Sequence, residues 1–157
     1  MSGMGDEEEI KKAKRSALRM LAFQARSRQE MEDKLSRKGF SASVTQTVVA
    51  YLIEYGYVND DLFAEQLARG LFENKNWGFI RIKRTLKNRG VLPELADKTI
   101  SQLKENHSEE ETALRILNRR FSHINLNEAS LEEKKRIIRF FQQRGFSWET
   151  IIKVLMI

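Results

Sequence analysis

Three short segments of the chain end in the same way, with a large apolar residue, then a basic residue and a glycine. They read LSRKG at 35–39, LKNRG at 86–90 and FQQRG at 141–145. The glycines lie 51 and 55 residues apart, and apolar residues recur at matching distances on both sides of them. A spacing shared by several segments is typical of stacked supersecondary units. The pattern predicts a short array of small repeats rather than two large domains.

Each repeat is predicted to hold three short helices. Apolar residues recur at i, i+3, i+4 and i+7, which is the spacing of one helical face. The chain has one proline and no run of alternating apolar and polar residues, so little is left for a sheet. We therefore predict an all-α fold, an elongated array of three tandem three-helix repeats. The predicted helices are 11–25, 28–38, 42–55, 60–74, 79–89, 93–105, 109–121, 131–144 and 148–156.

The predicted domain boundaries follow from the same spacing. The repeats are expected at 11–58, 59–107 and 108–157. The opening MSGMGDEEE is rich in glycine and then acidic, so residues 1–10 are predicted to be a disordered N-terminus.

Residues that favour helix starts stand before most of the predicted helices. Serine followed by glutamate three positions later predicts a capping box, in which each side chain satisfies a free backbone amide. Such pairs begin at Ser27, Ser108 and Ser130, whereas Ser41, Asp60 and Ser147 are predicted N-caps and Pro93 suits a first helical position.

The repeated glycine has a local structural explanation. A glycine just after a helix can adopt the left-handed conformation that satisfies the last carbonyls, and the next residue then packs back on the helix. The predicted pairs are Phe40 with Leu35, Val91 with Leu86, and Phe146 with Phe141. The basic residue before each glycine (Lys38, Arg89 or Arg144) also favours the negative end of the helix dipole.

The composition argues against several classes of protein. There is no cysteine, the two histidines stand alone, and no glycine-rich phosphate loop is present. We expect no catalytic residues, no cofactor and no metal, so the chain is not predicted to be an enzyme. No apolar run is long enough for a membrane span or a signal peptide. A cytoplasmic protein without membrane contact is therefore expected.

Basic residues are the remaining candidates for function. The net charge is +6, and two stretches, 75–92 and 134–148, contain no acidic residue. Their charges could be a solvated surface, or a stripe that meets DNA phosphates or an acidic protein surface. Trp77 could stack on bases or simply pack at a helix start. The predicted basic face consists of Arg81, Lys83, Arg84, Lys87, Arg89, Lys135, Arg139 and Arg144, with further candidate contacts at Arg26, Arg28, Lys34, Lys38 and Trp77.

Two stretches of the sequence carry a family resemblance. The run ALRMLAFQARSRQEMEDKLSRKGF at 17–40 and the run LIEYGYVNDDLFAEQLAR at 52–69 resemble the RecX family of bacterial recombination regulators. Arg26, Ser27 and the turn at 56–60 are the most specific parts. Gln24, Met31 and Phe79 depart from residues common in the family, and the first of these removes a positive charge from the candidate surface.

The resemblance implies a function that composition and spacing do not. Members of that family regulate the RecA recombinase: they lie in the groove of the RecA–DNA filament and limit strand exchange, ATP hydrolysis and co-protease activity. The expected partners are therefore the RecA nucleoprotein filament and, more weakly, single- or double-stranded DNA. We expect the chain to be a monomer. The alternative is a helical DNA-binding protein that competes with the recombinase for DNA.

Overall fold

The computed structural model describes the backbone of residues 3–156 and the side chains of residues 5–156. Within this part of the chain there are nine helices and no strand, which confirms the predicted all-α fold. The helices are α1 (Gly3–Phe23), α2 (Arg28–Arg37), α3 (Ala42–Glu54), α4 (Asp60–Lys75), α5 (Phe79–Asn88), α6 (Pro93–Asn106), α7 (Glu109–Arg120), α8 (Leu131–Gln143) and α9 (Trp148–Met156). In residues 3–156 no helix has the length and apolar character needed to cross a membrane.

The N-terminus differs from the sequence-based expectation. Helix α1 begins at Gly3, so residues 3–10 are helical where disorder was predicted; residues 1 and 2 lie outside the described residues. Acidic side chains near a helix N-terminus interact favourably with its dipole. The acidic run 6–9 that suggested disorder is therefore compatible with the first turns of a helix.

Most of the predicted helix starts are confirmed. Ser27 and Ser130 each form a complete capping box with the glutamate three residues later. Two details differ. At α4 the N-cap is Asn59, whose side chain accepts from the Leu62 amide, and Asp60 is the first helical residue. At α7 Ser108 accepts from the Glu111 amide, without the reciprocal bond of a full box.

Each triplet of helices encloses its own small core. The three clusters of buried apolar side chains come from α1–α3, α4–α6 and α7–α9 with their connecting turns. Each of the helix pairs with the most extensive contacts lies within a single triplet. We call the triplets repeats 1, 2 and 3. Since little apolar surface is shared between repeats, their relative placement depends on the junctions described below.

The glycine turns after α2, α5 and α8 have the predicted conformation. Gly39, Gly90 and Gly145 have φ of 94°, 89° and 87°. At the third turn the Phe146 amide donates to the Phe141 carbonyl at 3.0 Å, and the two rings pack with centroids 5.2 Å apart. The equivalent backbone bonds form at the other two turns. The repeated pentad therefore ends the middle helix of every repeat.

Repeat junctions and the candidate basic surface

The junction between repeats 1 and 2 joins the start of α2 to the end of α5. Ser27 donates its hydroxyl hydrogen to the Arg89 carbonyl at 2.5 Å, and the Arg28 amide donates to Asp60 Oδ1 at 2.8 Å. The Arg89 guanidinium donates to both carboxylate oxygens of Glu30, at 2.6 and 3.2 Å. Side chains of opposite charge therefore close this junction.

The junction between repeats 2 and 3 uses the equivalent ends of α5 and α8, but mainly through the backbone. The Gly78 amide donates to the Arg144 carbonyl at 2.7 Å, and the Ile80 amide donates to the Gly145 carbonyl at 3.0 Å. A side chain at Gly78 would collide with the backbone of Gly145 and Phe146. Glycine at this N-cap is what permits the two backbones to approach.

A buried carboxylate completes the second junction. Glu109, the first residue of α7, has 7% of its surface exposed. It accepts from the Phe79 amide at 3.1 Å, from the amide and hydroxyl of Ser147 at 3.3 and 3.1 Å, and from the Thr150 hydroxyl at 2.7 Å. It thus ties the start of α5 to the start of α9. Asp60 occupies the matching place at the first junction, with a single bond across it.

The two junctions differ in charge at one of two equivalent positions. In the first junction, the residue nine before the glycine of repeat 1 is Glu30, and it binds the residue just before the glycine of repeat 2, Arg89. In the second junction, the corresponding residues are Arg81 and Arg144. Two arginines therefore occupy the places that hold an ion pair one repeat earlier.

A third arginine joins this pair. The Arg120 and Arg144 guanidiniums lie 4.6 and 4.7 Å from the centre of the Phe140 ring, and the Arg81 guanidinium lies 3.6 Å from the Trp77 ring. Burial, together with the positive charges of Arg120 and Arg81, lowers the pKa of Arg144. We call Arg81, Arg120 and Arg144 the arginine cluster.

Arg120 is not among the residues of the predicted basic face. It lies in α7, outside both acid-free stretches, and its proximity to Arg144 is a tertiary contact. One signal was present in the sequence. Arg119 and Arg120 end a helix that begins with three glutamates, so the positive charge of α7 is concentrated at its C-terminal end, near Arg144.

The other predicted residues of the basic face fall into two groups. Arg84, Lys87 and Arg139 are exposed, and none has a carboxylate oxygen within the 4.0 Å of an ion pair among the described residues. Lys83 pairs with Asp97 of α6, and its hydrogen bond is the main reason that the pKa of this carboxyl is lowered. Lys135 lies 4.0 Å from Glu132 on the exposed side of α8.

The further candidate contacts are placed differently from one another. Arg28 pairs with Glu32 at 2.5 Å on the same helix. Arg26 is half-buried, and its Nε has no hydrogen-bond partner. Lys38 is exposed and Lys34 half-buried. Trp77 packs partly on the core of repeat 2, and its ring also contacts the Arg81 guanidinium.

The folded chain is thus a tandem helical-repeat protein whose distinctive features are polar junctions and unpaired basic side chains. Among residues with described side chains, no three histidine, aspartate or glutamate side chains gather into a metal site. Models of the first, second and third three-helix domains of RecX match residues 13–52, 59–100 and 108–155. The chain belongs to the RecX family.

Similar proteins extend over most of this chain. The regulatory protein RecX of Legionella pneumophila is 34% identical over 143 residues, covering 91% of this chain and 92% of its own. That of Trichlorobacter lovleyi is 30% identical over 136 residues, covering 87% and 88%. The crystal structure of RecX from Lactobacillus salivarius superposes with a TM-score of 0.81 at 23% identity, covering 96% of each chain, and so supports the fold.

Proposed function

We propose that this chain is a non-catalytic regulator of a RecA recombinase. It binds in the groove of the recombinase–DNA filament and limits strand exchange, ATP hydrolysis and co-protease activity. The observation that carries the proposal is the match of all three repeats to the domains of RecX, in order. We further propose that it acts as a monomer in the cytoplasm.

A repeat array is well suited to a helical filament. Successive repeats can meet successive protomers, and contacts that are weak one at a time then act together. The exposed charges of Arg84 and Lys87 in repeat 2, and of Arg139 in repeat 3, are available for an acidic protein surface or for phosphates. These three side chains are our proposed filament contacts.

Regulation by binding requires no chemical step. A ligand that prefers one state of an assembly shifts the equilibrium by its difference in affinity for the two states. A protein in the filament groove also obstructs a second DNA strand and the addition of further protomers. Occupancy therefore accounts for inhibition of several activities at once.

The direct test measures recombinase-dependent ATP hydrolysis on single-stranded DNA with increasing amounts of this protein. Inhibition at less than one molecule per recombinase protomer is expected, because blocking the growing end affects many protomers. No inhibition at saturating protein would refute the proposal.

A comparison of ligands separates the proposal from simple competition for DNA. We expect tight binding to the ATP-loaded filament, and weaker binding to naked DNA that declines steeply with salt. If naked DNA binds as tightly as the filament at physiological salt, the protein is better described as a DNA-binding competitor.

A charge-reversal variant tests the proposed contacts. Arg84→Glu with Lys87→Glu is expected to weaken inhibition by about tenfold. Arg15→Glu with Arg19→Glu is the matched control, because these side chains are also exposed, lie on one face of α1, and form no ion pair among the described residues. Equal inhibition by the two double variants, with unchanged helical circular dichroism, would exclude Arg84 and Lys87 as contacts.

A further inference from the structure

The arginine cluster lacks the counter-charge that its repeat equivalent has. At the first junction Glu30 neutralises Arg89, with only 19% and 25% of the two side chains exposed. At the second junction Arg81 takes the place of that glutamate and Arg144 the place of Arg89. None of the three arginines of the cluster has a carboxylate oxygen within ion-pair distance in the described part of the chain.

The cluster is held in place by neighbouring groups. One Nη of Arg81 donates to the Gln143 carbonyl at 3.3 Å, and one Nη of Arg144 donates to the Lys75 carbonyl at 3.3 Å. The Trp77 ring lies under Arg81, and the Phe140 ring contacts both Arg120 and Arg144. Each guanidinium has five N–H donors, so most of them are still free to bind an anion.

Such a cluster is unfavourable in the free protein. Arginine does not lose its proton in proteins, so the repulsion cannot be relieved by titration. The lowered pKa of Arg144 has the same origin, in burial and in the two nearby positive charges. A bound anion would offset these positive charges, as Glu30 offsets that of Arg89 at the first junction.

We propose that Arg81, Arg120 and Arg144 form a binding site for one backbone phosphate of single-stranded DNA. A single guanidinium can bind both oxygens of a planar carboxylate, so a carboxylate does not require three arginines. A phosphate presents oxygens in several directions and can be shared by three arginines that come from two repeats. The choice of DNA as the source of the phosphate rests on the proposed function, since the filament contains single-stranded DNA.

The site also links the two repeats. Arg81 belongs to repeat 2, whereas Arg120 and Arg144 belong to repeat 3. A phosphate bound by all three therefore fixes the second junction, as the ion pair fixes the first. Binding of the DNA strand and stiffening of the array are then one event.

The first test uses a fluorescein-labelled oligothymidine and the full chain, with binding followed by fluorescence anisotropy. Arg81→Glu supplies the carboxylate that the first junction has, and it is expected to reduce affinity by about tenfold or more. The matched control is Arg37→Glu, an exposed arginine of α2 without an ion pair, for which a loss of less than about threefold is expected. Equal losses in both variants would show that only overall charge matters and would overturn the site.

A stability measurement separates the anion site from a purely structural cluster. Arg81→Glu and Arg81→Gln both lose the contact with Trp77, but only glutamate can pair with Arg144. We expect Arg81→Glu to have the higher Tm at low salt. Inorganic phosphate should raise the Tm of the unmodified protein more than chloride of equal ionic strength, and should have no such effect on Arg81→Glu. Equal responses of the two proteins to phosphate would contradict the proposal.

Two further measurements identify the ligand and control for the possibility that Arg81→Glu disturbs the fold. Arg120→Gln makes no change to a backbone hydrogen bond of the cluster and should still weaken oligothymidine binding, with a salt slope smaller by up to about 0.7, the value for one phosphate of a single strand. A polyglutamate peptide serves as a competitor. If it displaces the oligonucleotide at equal charge concentration, the cluster fits an acidic protein segment and the DNA assignment fails.

The phosphate site and the proposed function can fail separately. If Arg81→Glu loses oligothymidine binding while the unmodified chain fails to inhibit recombinase ATP hydrolysis, the phosphate site stands and the regulatory function falls. If the unmodified chain inhibits the recombinase but Arg81→Glu binds oligothymidine normally, the regulatory function stands and the phosphate site falls.

Discussion

The two junctions are built from equivalent positions but held by different chemistry. The first depends on side chains, with the Arg89–Glu30 ion pair and the Ser27 hydroxyl. The second depends on backbone bonds from Gly78 and Ile80 and on the buried carboxylate of Glu109. Among the described residues, the positions whose ion pair closes the first junction form no ion pair at the second.

This difference shows that one repeated position can have different surroundings within one scaffold. The residue before the glycine is arginine at both junctions, yet Arg89 is neutralised and Arg144 is not. A basic residue in the repeated pentad is therefore not by itself evidence for a binding site. Its role depends on the residue that the preceding repeat places against it.

The largest loss of stability is expected for Gly145→Ala. A Cβ at Gly145 would lie 2.5 Å from the Arg81 amide nitrogen and 2.9 Å from the Arg81 Cα, so backbone must move. Left-handed strain and overpacking together should lower the free energy of unfolding by about 3 kcal/mol. Thermal unfolding followed by circular dichroism should show a Tm lower by about 10 °C.

Gly90→Ala makes the same change at the first junction. Its Cβ would meet the Gln29 Cβ at 2.6 Å and the Ser27 Oγ at 2.9 Å, whereas the Cβ of Gly145→Ala would also meet main-chain atoms of Arg81. The expected loss is about 2 kcal/mol. A larger loss for Gly90→Ala than for Gly145→Ala would contradict the view that the second junction is the closer backbone contact.

Glu109→Gln tests the buried carboxylate. Glutamine keeps the shape, but its NH2 group replaces one accepting oxygen and faces donors from Ser147 and Thr150. Leaving such donors unsatisfied should cost about 2 to 3 kcal/mol, measured by urea denaturation. Asp60→Asn is the matched control, with one bond across its junction and an expected cost of about 1 kcal/mol. Equal costs would mean that the extra bonds of Glu109 contribute nothing.

The fold could largely be predicted from the sequence, because its signals are local. Ser27 and Ser130 mark helix starts within three residues of themselves, and the glycine turns need only their own helix. The predicted start of α1 was wrong, because acidic runs occur both in disordered segments and at helix N-termini. Asn59 and Asp60 are both good caps, and only the backbone conformation distinguishes them.

The candidate site was less accessible to sequence reasoning. Arg89 and Arg144 are the same kind of residue at the same repeat position, so the pattern treats them alike. Their difference comes from Glu30 and Arg81, which lie 59 and 63 residues earlier along the chain. Which position of one repeat meets which position of the next is a property of the packed array. The basic face as a binding surface stays a prediction.

Glu30→Gln removes the negative charge that pairs with Arg89, so that the first junction, like the second, has no ion pair at this place. Arg89 then lacks its counter-charge while only partly exposed, and a loss of about 1 to 2 kcal/mol is expected from the ion pair, because glutamine can still accept the capping-box bond from the Ser27 amide. The loss should shrink as salt is raised, since salt screens the charge interaction. A loss that does not depend on salt would show that the ion pair is not its source. The same variant should not gain oligothymidine affinity comparable to that of the arginine cluster, because Arg28, the other arginine at the first junction, is paired with Glu32.

Gly39→Ala should have the smallest effect of the glycine substitutions. Its φ is 94°, but among the described residues no atom beyond its chain neighbours lies within 4 Å of where its Cβ would be. Only the left-handed strain remains, partly offset by the lower entropy of the unfolded alanine chain, so about 1 kcal/mol or less is expected. The three glycine variants thus share one conformational cost and differ in what a neighbouring repeat adds. If Gly39→Ala lowers the Tm as much as Gly145→Ala, close packing at the second junction adds no measurable cost to the substitution. Close approach of the two backbones would then not explain how the junctions differ.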